Sequence, residues 1–289
     1  MIGRRLAAPD RRHRVSAWVL ATALLLLLAC AVGAGGCRTA PAAQRPTPGP
    51  SAEELRTVLA TRQAAIRAMN ARVRATSWIG GERLRASVLM LVTRAGQLRF
   101  EAEVSLQGTV SILTTDGVQF SLLDLQKNEM HRGPACPSNV ASLIRIPLAP
   151  SEVAAILLGD VQLEPPAGEA SDQVTWDPAR GADVLTRTDA GGRRTRLYFQ
   201  EHGRDRDLIG VVREDSRGVR LWQTAYDDLR SVSTVRLPAV IRFAEANESF
   251  DQGVEVKFKD VTINATTRPE DFTLAVPQGI ALHEETCGS

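Results

Sequence analysis

The chain has 289 residues, 44% of them apolar and 4% aromatic, with 35 basic against 33 acidic side chains and a formal net charge of +2. No basic cluster with interleaved aromatics occurs, which excludes the usual footprint of a nucleic-acid partner. Of its four histidines, His13, His131, His202 and His283, none is paired at metal-ligand spacing.

The N-terminus has three parts. Arg4, Arg5, Arg11, Arg12 and Arg14 make a cationic start, interrupted only by Asp10. Residues 15–29, VSAWVLATALLLLLA, are apolar, and small residues follow in VGAGG. This is the order of a bacterial export signal. The uncharged run from Val15 to Gly36, roughly 22 residues, is also long enough to span a bilayer. A small residue directly before a cysteine favours the export signal, because the lipoprotein signal peptidase reads that pattern. Two cysteines qualify, in Leu27-Leu28-Ala29-Cys30 and in Ala34-Gly35-Gly36-Cys37. Cleavage at Cys37 leaves one lipidated cysteine and the pair Cys136 and Cys287. Cleavage at Cys30 leaves an odd thiol in an oxidising compartment. The arithmetic favours residues 1–36 as signal peptide and Cys37 as the diacylglycerol-bearing residue. The basic runs RRLAAP and RRHRVS lack the full twin-arginine pattern, which favours ordinary secretion. Processing removes five arginines and one aspartate, turning the net charge from +2 to −2.

Residues 38–50, RTAPAAQRPTPGP, hold four prolines and no periodic apolar residues. With Cys37 they make an extended, disordered tether to a membrane over 37–50. The body, 51–289, opens on a capping box, Ser51 with Glu54 three residues later. Leu55, Val58, Leu59, Ile66, Met69 and Val73 then share one stripe, which predicts an amphipathic helix of about five turns.

From there the period switches to two. Leu84, Ala86, Val88, Met90 and Val92 alternate with other residues, as do Leu98, Phe100, Ala102, Val104 and Leu106 against Arg99, Glu101, Glu103 and Ser105. Strands with one dry and one wet face have this pattern. Asp116-Gly117 between two apolar runs is a hairpin signal. Later runs, from QVTWD to GVEVKFKDVTIN, bring the expectation to about ten or eleven strands. Their short connections predict an antiparallel, strongly curved sheet.

One stretch interrupts the strands. The insert over 137–159 holds two short helices, with Ser138 or Asn139 capping the first and Ser151 the second. Pro147 and Pro150 separate them, and Gly159 stops the second. Their many apolar residues must cover the dry face, either filling it or closing over a cavity. Val88, Met90, Phe100 and Val104 are the expected wall of that space. Val140, Leu143, Ile144, Ile156 and Leu157 approach it from the insert.

Catalytic motifs are missing. There is no G-x-S-x-G and no Gly-rich phosphate loop after a strand, so no catalytic residue, metal or cofactor is assigned. His283, Glu284 and Glu285 form a solvated tail. Cys136 and Cys287, with 150 residues between them and no C-x-x-C, are expected to form a structural disulfide.

This order of parts resembles the LolA/LolB superfamily of lipoprotein carriers and receptors, in particular its lipoprotein branches. The resemblance lies in the acylated cysteine and leash, the N-terminal helix, the strands, the insert CPSNVASLIRIPLAPSEVAAILLG, and the closing RPEDFTLAVPQGI over 268–280, which is similar to the family's C-terminal strand. It covers roughly residues 51–280. It implies a mainly β fold with some α: an unclosed β-barrel with an N-terminal helix and a short helical lid, its hollow holding acyl chains of lipids or lipoproteins. A soluble periplasmic carrier is the implied partner. Arg38 after Cys37, where enterobacterial sorting places Asp to retain a lipoprotein, implies the outer membrane, facing the periplasm. No segment stands out as the exposed apolar loop with which the receptor inserts lipoproteins. The alternative function is a non-catalytic structural or assembly lipoprotein with a filled core.

Overall fold

The computed structural model describes Arg45 and residues 48–288, except 80–81, 105 and 164–171. By its contacts the chain divides into residues 1–42 and a body over 43–289. The expected signal peptide, Cys30 and Cys37 lie outside the described residues. Among the described residues, no helix is long and apolar enough to cross a membrane.

Helix α1 spans Ala52–Ala65. It starts where the sequence places its capping box: the Glu54 N–H donates to Ser51 Oγ at 3.2 Å, and the Ser51 N–H to Glu54 Oε2 at 2.6 Å. Leu55 and Leu59 are buried beneath it. The helix is shorter than its apolar stripe suggested. Met69 and Val73 belong to strand β1, Ala68–Ile79, where Met69, Ala71 and Val73 are buried and Asn70, Arg72 and Arg74 exposed. A strand that begins two residues after Ile66, and buries Met69 three residues after it, extends a helical spacing by coincidence. The alternation, not the stripe, decides.

Six strands precede the lid: β1, β2 (Glu82–Thr93), β3 (Leu98–Val104), β4 (Gly108–Thr115), β5 (Gln119–Asp124) and β6 (Glu129–Pro134). Helices α2 (Pro137–Ile144) and α3 (Pro150–Leu157) follow. Then come β7 (Asp172–Asp177), β8 (Ala182–Thr188), β9 (Arg194–His202), β10 (Asp205–Glu214), β11 (Arg220–Val232), β12 (Val235–Glu245), β13 (Val254–Ile263) and β14 (Ala281–Glu284). These fourteen strands, more than the ten or eleven expected, form one sheet in the order β14-β6-β5-β4-β3-β2-β1-β13-β12-β11-β10-β9-β8-β7. Neighbours are antiparallel except β14, which runs parallel to β6. The end strands β7 and β14 are not paired with each other, so the barrel is unclosed. Asp116-Gly117 makes its hairpin: Gly117 takes φ +99°, and Asp116 Oδ1 accepts from the Val118 and Gln119 N–H groups at 2.8 Å each.

Both lid helices begin one residue after an N-cap whose side chain makes no capping hydrogen bond, Cys136 and Ala149, with proline at the first helical position. Ser138, Asn139 and Ser151 therefore do not cap. Proline at that position pre-sets φ and lacks the N–H that would need a partner. The Asn139 amide instead donates to the Pro134 carbonyl at 3.0 Å. Gly159 ends the insert in a left-handed conformation, φ +69°.

The core lies on the concave face, under α1 and the lid. A buried polar fastener holds these layers together. Asp160 is fully buried. Its carboxylate accepts from Arg94 Nη1 and from the Val161 N–H, each at 2.7 Å, while its carbonyl accepts from the Tyr226 hydroxyl at 2.6 Å. Arg62 of α1 donates to the Leu158 and Gly159 carbonyls and to that of Arg236. Burial pushes the Arg62 guanidinium down and the Tyr226 hydroxyl up from their ordinary values. Every charge here has a partner, as burial requires.

Two further expectations change. The closing phrase 268–280 is not a strand: Pro269–Phe272 is a 3₁₀ turn that buries Phe272, and the last strand comes after it, at 281–284. The end of the expected leash rests on the body, since Arg45 pairs with Asp183 at 3.0 Å and Pro50 is buried. Arginine and a rigid proline give that segment something to hold and little entropy to lose.

Candidate functional site

Between strands β1–β3 and the lid lies a hollow of about 290 Å³. The pairing register builds its floor. Val73 stands opposite Val88, Ala75 opposite Ala86, Val88 opposite Ala102 and Met90 opposite Phe100. Directly opposed residues share a face, so these side chains form one apolar surface. The roof comes from Leu143, Ile144, Ile146 and Leu157 of the lid, and Val254 and Val256 of β13 close one flank. Along β2, exposure falls from residues 82–85, which are open, to residues 90–93, mostly buried. The strand therefore runs from mouth to floor.

The space exists because the floor is built from small side chains. Ala75, Ala86 and Ala102 fill little of the gap that the lid helices span, and packing with nothing behind a methyl leaves room.

Of the nine residues expected at this site, the structure places Val88, Met90, Phe100, Leu143, Ile144 and Leu157 on its wall. Val104 is not there. The β3–β4 register shifts between Ala102 and Glu103, and beyond that irregularity Val104 is exposed. Val140 and Ile156 are almost wholly buried but lie behind the wall, in the core. Sequence reasoning missed Ala75, Ala86 and Ala102, whose smallness is their contribution, and Val254 and Val256, whose strand reaches the site through a non-local pairing. It also missed Leu106 as an exposed residue. At the tip between β3 and β4, Leu106 is fully exposed with φ +72°, a conformation that non-glycine residues seldom take.

Cys136 and Cys287 are both thiols in this structure, and their side chains influence each other's titration. Burial works to raise Cys136, but hydrogen bonds from Cys287 and Ser138 hold it below the usual thiol value. The bond to Cys136 in turn pushes Cys287 up. The Gly288 N–H donates to Ser138 Oγ at 3.2 Å. The tail around them is exposed but ordered: His131 Nδ1 lies 2.7 Å from Glu285 Oε1, and the His131 and His283 rings stack at 5.1 Å. Among the described residues, no group of three His, Cys, Asp or Glu side chains is placed to hold a metal ion.

No family model matches the sequence, and no curated protein does. Solved structures do. The chain is similar to an outer membrane lipoprotein-sorting protein domain from Vibrio parahaemolyticus, at 12% identity and a TM-score of 0.49, over 77% of this chain and 97% of that one. A DUF1329 family protein from Desulfovibrio piger is similar at 11% identity and a TM-score of 0.49, over 74% and 94% of the two chains. A LolA superfamily protein from Nitrosomonas europaea is similar at 11% identity and a TM-score of 0.46, over 76% and 97%.

Proposed function

We propose that this chain is a non-catalytic, membrane-tethered module of the cell envelope that binds the acyl chains of lipids or lipoproteins. The observation that carries this is the lid-covered hollow, whose lining is mostly apolar, with Thr76, Ser77, Ser142, Arg85 and Arg145 as its polar members. Each methylene that enters it gains about 0.8 kcal/mol, offset by the cost of ordering the chain. The tether is a diacylglycerol on Cys37, holding the body at the outer membrane on its periplasmic side, where a soluble carrier delivers cargo. The bare Leu106 at the β3–β4 tip is the surface that meets the bilayer. Native mass spectrometry of the full chain, purified in a mild detergent, should find acyl lipid bound. A protein that carries none and takes up none when offered would overturn the proposal and leave the scaffold with an unused cavity.

The adjacent thiols support a second element of the proposal, a Cys136–Cys287 disulfide that ties the tail to the base of the lid. Closing a loop of ~150 residues is worth roughly 5 kcal/mol in the chain-entropy model, less any strain. Peptide mapping without reductant should recover the cross-linked pair; free thiols at both positions in the exported protein would remove it.

A further inference from the structure

We propose that the hollow takes a single acyl chain of about a dozen carbons whose head is anionic, a carboxylate or a phosphate, held at Arg145. This rests on the acyl-binding function proposed above and narrows its cargo.

The chain number follows from size. An apolar cavity of ~150 Å³ holds one benzene, about 25 Å³ for each carbon. At that density the hollow's volume of about 290 Å³ has room for roughly twelve carbons. That is one chain of moderate length. A diacyl or triacyl cargo would need two or three times that volume. Met90, Phe100 and Leu157 are buried on the floor and roof, and Val254 and Val256 close the flank.

The head group follows from charge. The hollow's lining includes two arginines, Arg85 and Arg145, and no acidic residue. Neither guanidinium has a hydrogen-bond or ion-pair partner among the described residues. This stands out in a protein where most arginines are paired, such as Arg94 with Asp160 and Arg187 with Asp172. Arg145 is the better placed. It follows the last turn of α2 in a left-handed conformation, φ +58°, exposed at the edge of the lid beside Leu143 and Ile144. Arg85 sits at the wet outer end of β2, opposite Thr76, and adds positive potential to the mouth. The apolar floor and the cationic rim together match an amphiphile whose negative end stays in water while its tail is buried. A neutral head could reach only the hydroxyls of Ser77 and Ser142 and gains nothing from the positive charge, and a cationic one would be repelled.

The test uses the full chain held in lipid nanodiscs and titrated with dodecanoate, dodecyl phosphate, dodecanol, a diacyl phosphatidylglycerol and a triacylated lipopeptide. Inorganic phosphate is the control for the head alone. Dodecanoate and dodecyl phosphate should bind one to one and more tightly than dodecanol, while inorganic phosphate binds far more weakly. Arg145→Glu exchanges an exposed attraction for a repulsion, so it should weaken both anionic ligands by about tenfold and leave dodecanol unchanged. Arg145→Lys should restore most of the loss. A melting transition matching the parent's shows that the variant is folded. Equal affinity for dodecanol and dodecanoate, or no effect of Arg145→Glu, overturns the anionic head. Binding of the diacyl or triacyl ligands in preference to single chains overturns this inference while acyl binding itself survives. No uptake of any acyl ligand by the folded protein overturns both.

Discussion

The two halves of the concave face are made by one sheet with one curvature, yet one half is packed and the other is not. Over β8–β12 the inward positions carry Leu185, Leu197, Phe199, Trp222, Tyr226 and Phe243, all buried. Over β1–β3 the corresponding face carries Val73, Ala75, Ala86, Val88 and Ala102 beneath the lid. Curvature alone therefore does not decide whether an unclosed barrel is hollow; side-chain volume does. Arg187 of β8 and Arg56 of α1 both grip Asp172 of β7, while the charged side chains lining the hollow stay unpaired. One half is built to stay shut and the other to yield.

Charge inserted on adjacent residues of α3 tests that contrast most severely. Ile156 is buried in the core behind the wall, so Ile156→Glu strands a carboxylate and should cost on the order of 5 kcal/mol. Leu157 faces the hollow, so its Glu can reach water, at about 2 kcal/mol or less. Equal losses in thermal or urea melts would mean that the hollow is closed to solvent and the contrast false. Phe243→Ala, in the packed half, should cost about 3–5 kcal/mol.

The acid limb of stability probes the fasteners. Arg187, by hydrogen bonding, holds the Asp172 carboxyl below the usual aspartate range, with Arg56 adding to the effect against the opposing pull of burial. A depressed native pKa stabilises the fold above the unfolded value of about 3.9, and that contribution disappears as pH falls through the native value. Asp172→Asn should thus lower stability at pH 7 by about 2 kcal/mol and flatten the decline below pH 4. An unchanged acid limb would show that the pair contributes nothing. The smallest effect should come from Val88→Ala, which enlarges a space that already exists: less than about 1 kcal/mol, with acyl affinity changing more than melting temperature.

Local signals were legible in the sequence. The capping box of Ser51 and Glu54, the Asp116-Gly117 turn and the two lid helices each depend on neighbours within a few residues, and each is where its pattern indicates. Three wall residues, Val88, Met90 and Phe100, followed from alternation, and Leu143, Ile144 and Leu157 from the apolar insert. What escaped depends on distant partners. Nothing near Met69 announces that β1 pairs with β13, almost two hundred residues away, and nothing near Val104 marks the register shift that turns it outward. The alanines of the floor carry no pattern, because a hollow is specified by what a side chain lacks.

The parallel pairing of β14 with β6 has a consequence for how copies of this chain behave together. An unclosed barrel has two bare margins, and each is a template on which another strand can add. Here the β6 margin is occupied by four residues of the same chain, Ala281–Glu284, extended by the Glu285 N–H donating to the Arg132 carbonyl at 2.7 Å. Gly133 lets the tail come this near, since a Cβ there would lie 2.4 Å from the Glu285 carbonyl oxygen. The added strand is too short to recruit a further one, and it brings His283 and Glu284 to its outer edge. Residues 281–284 thus cap the β6 margin, so that the ladder of one molecule does not continue there into the next.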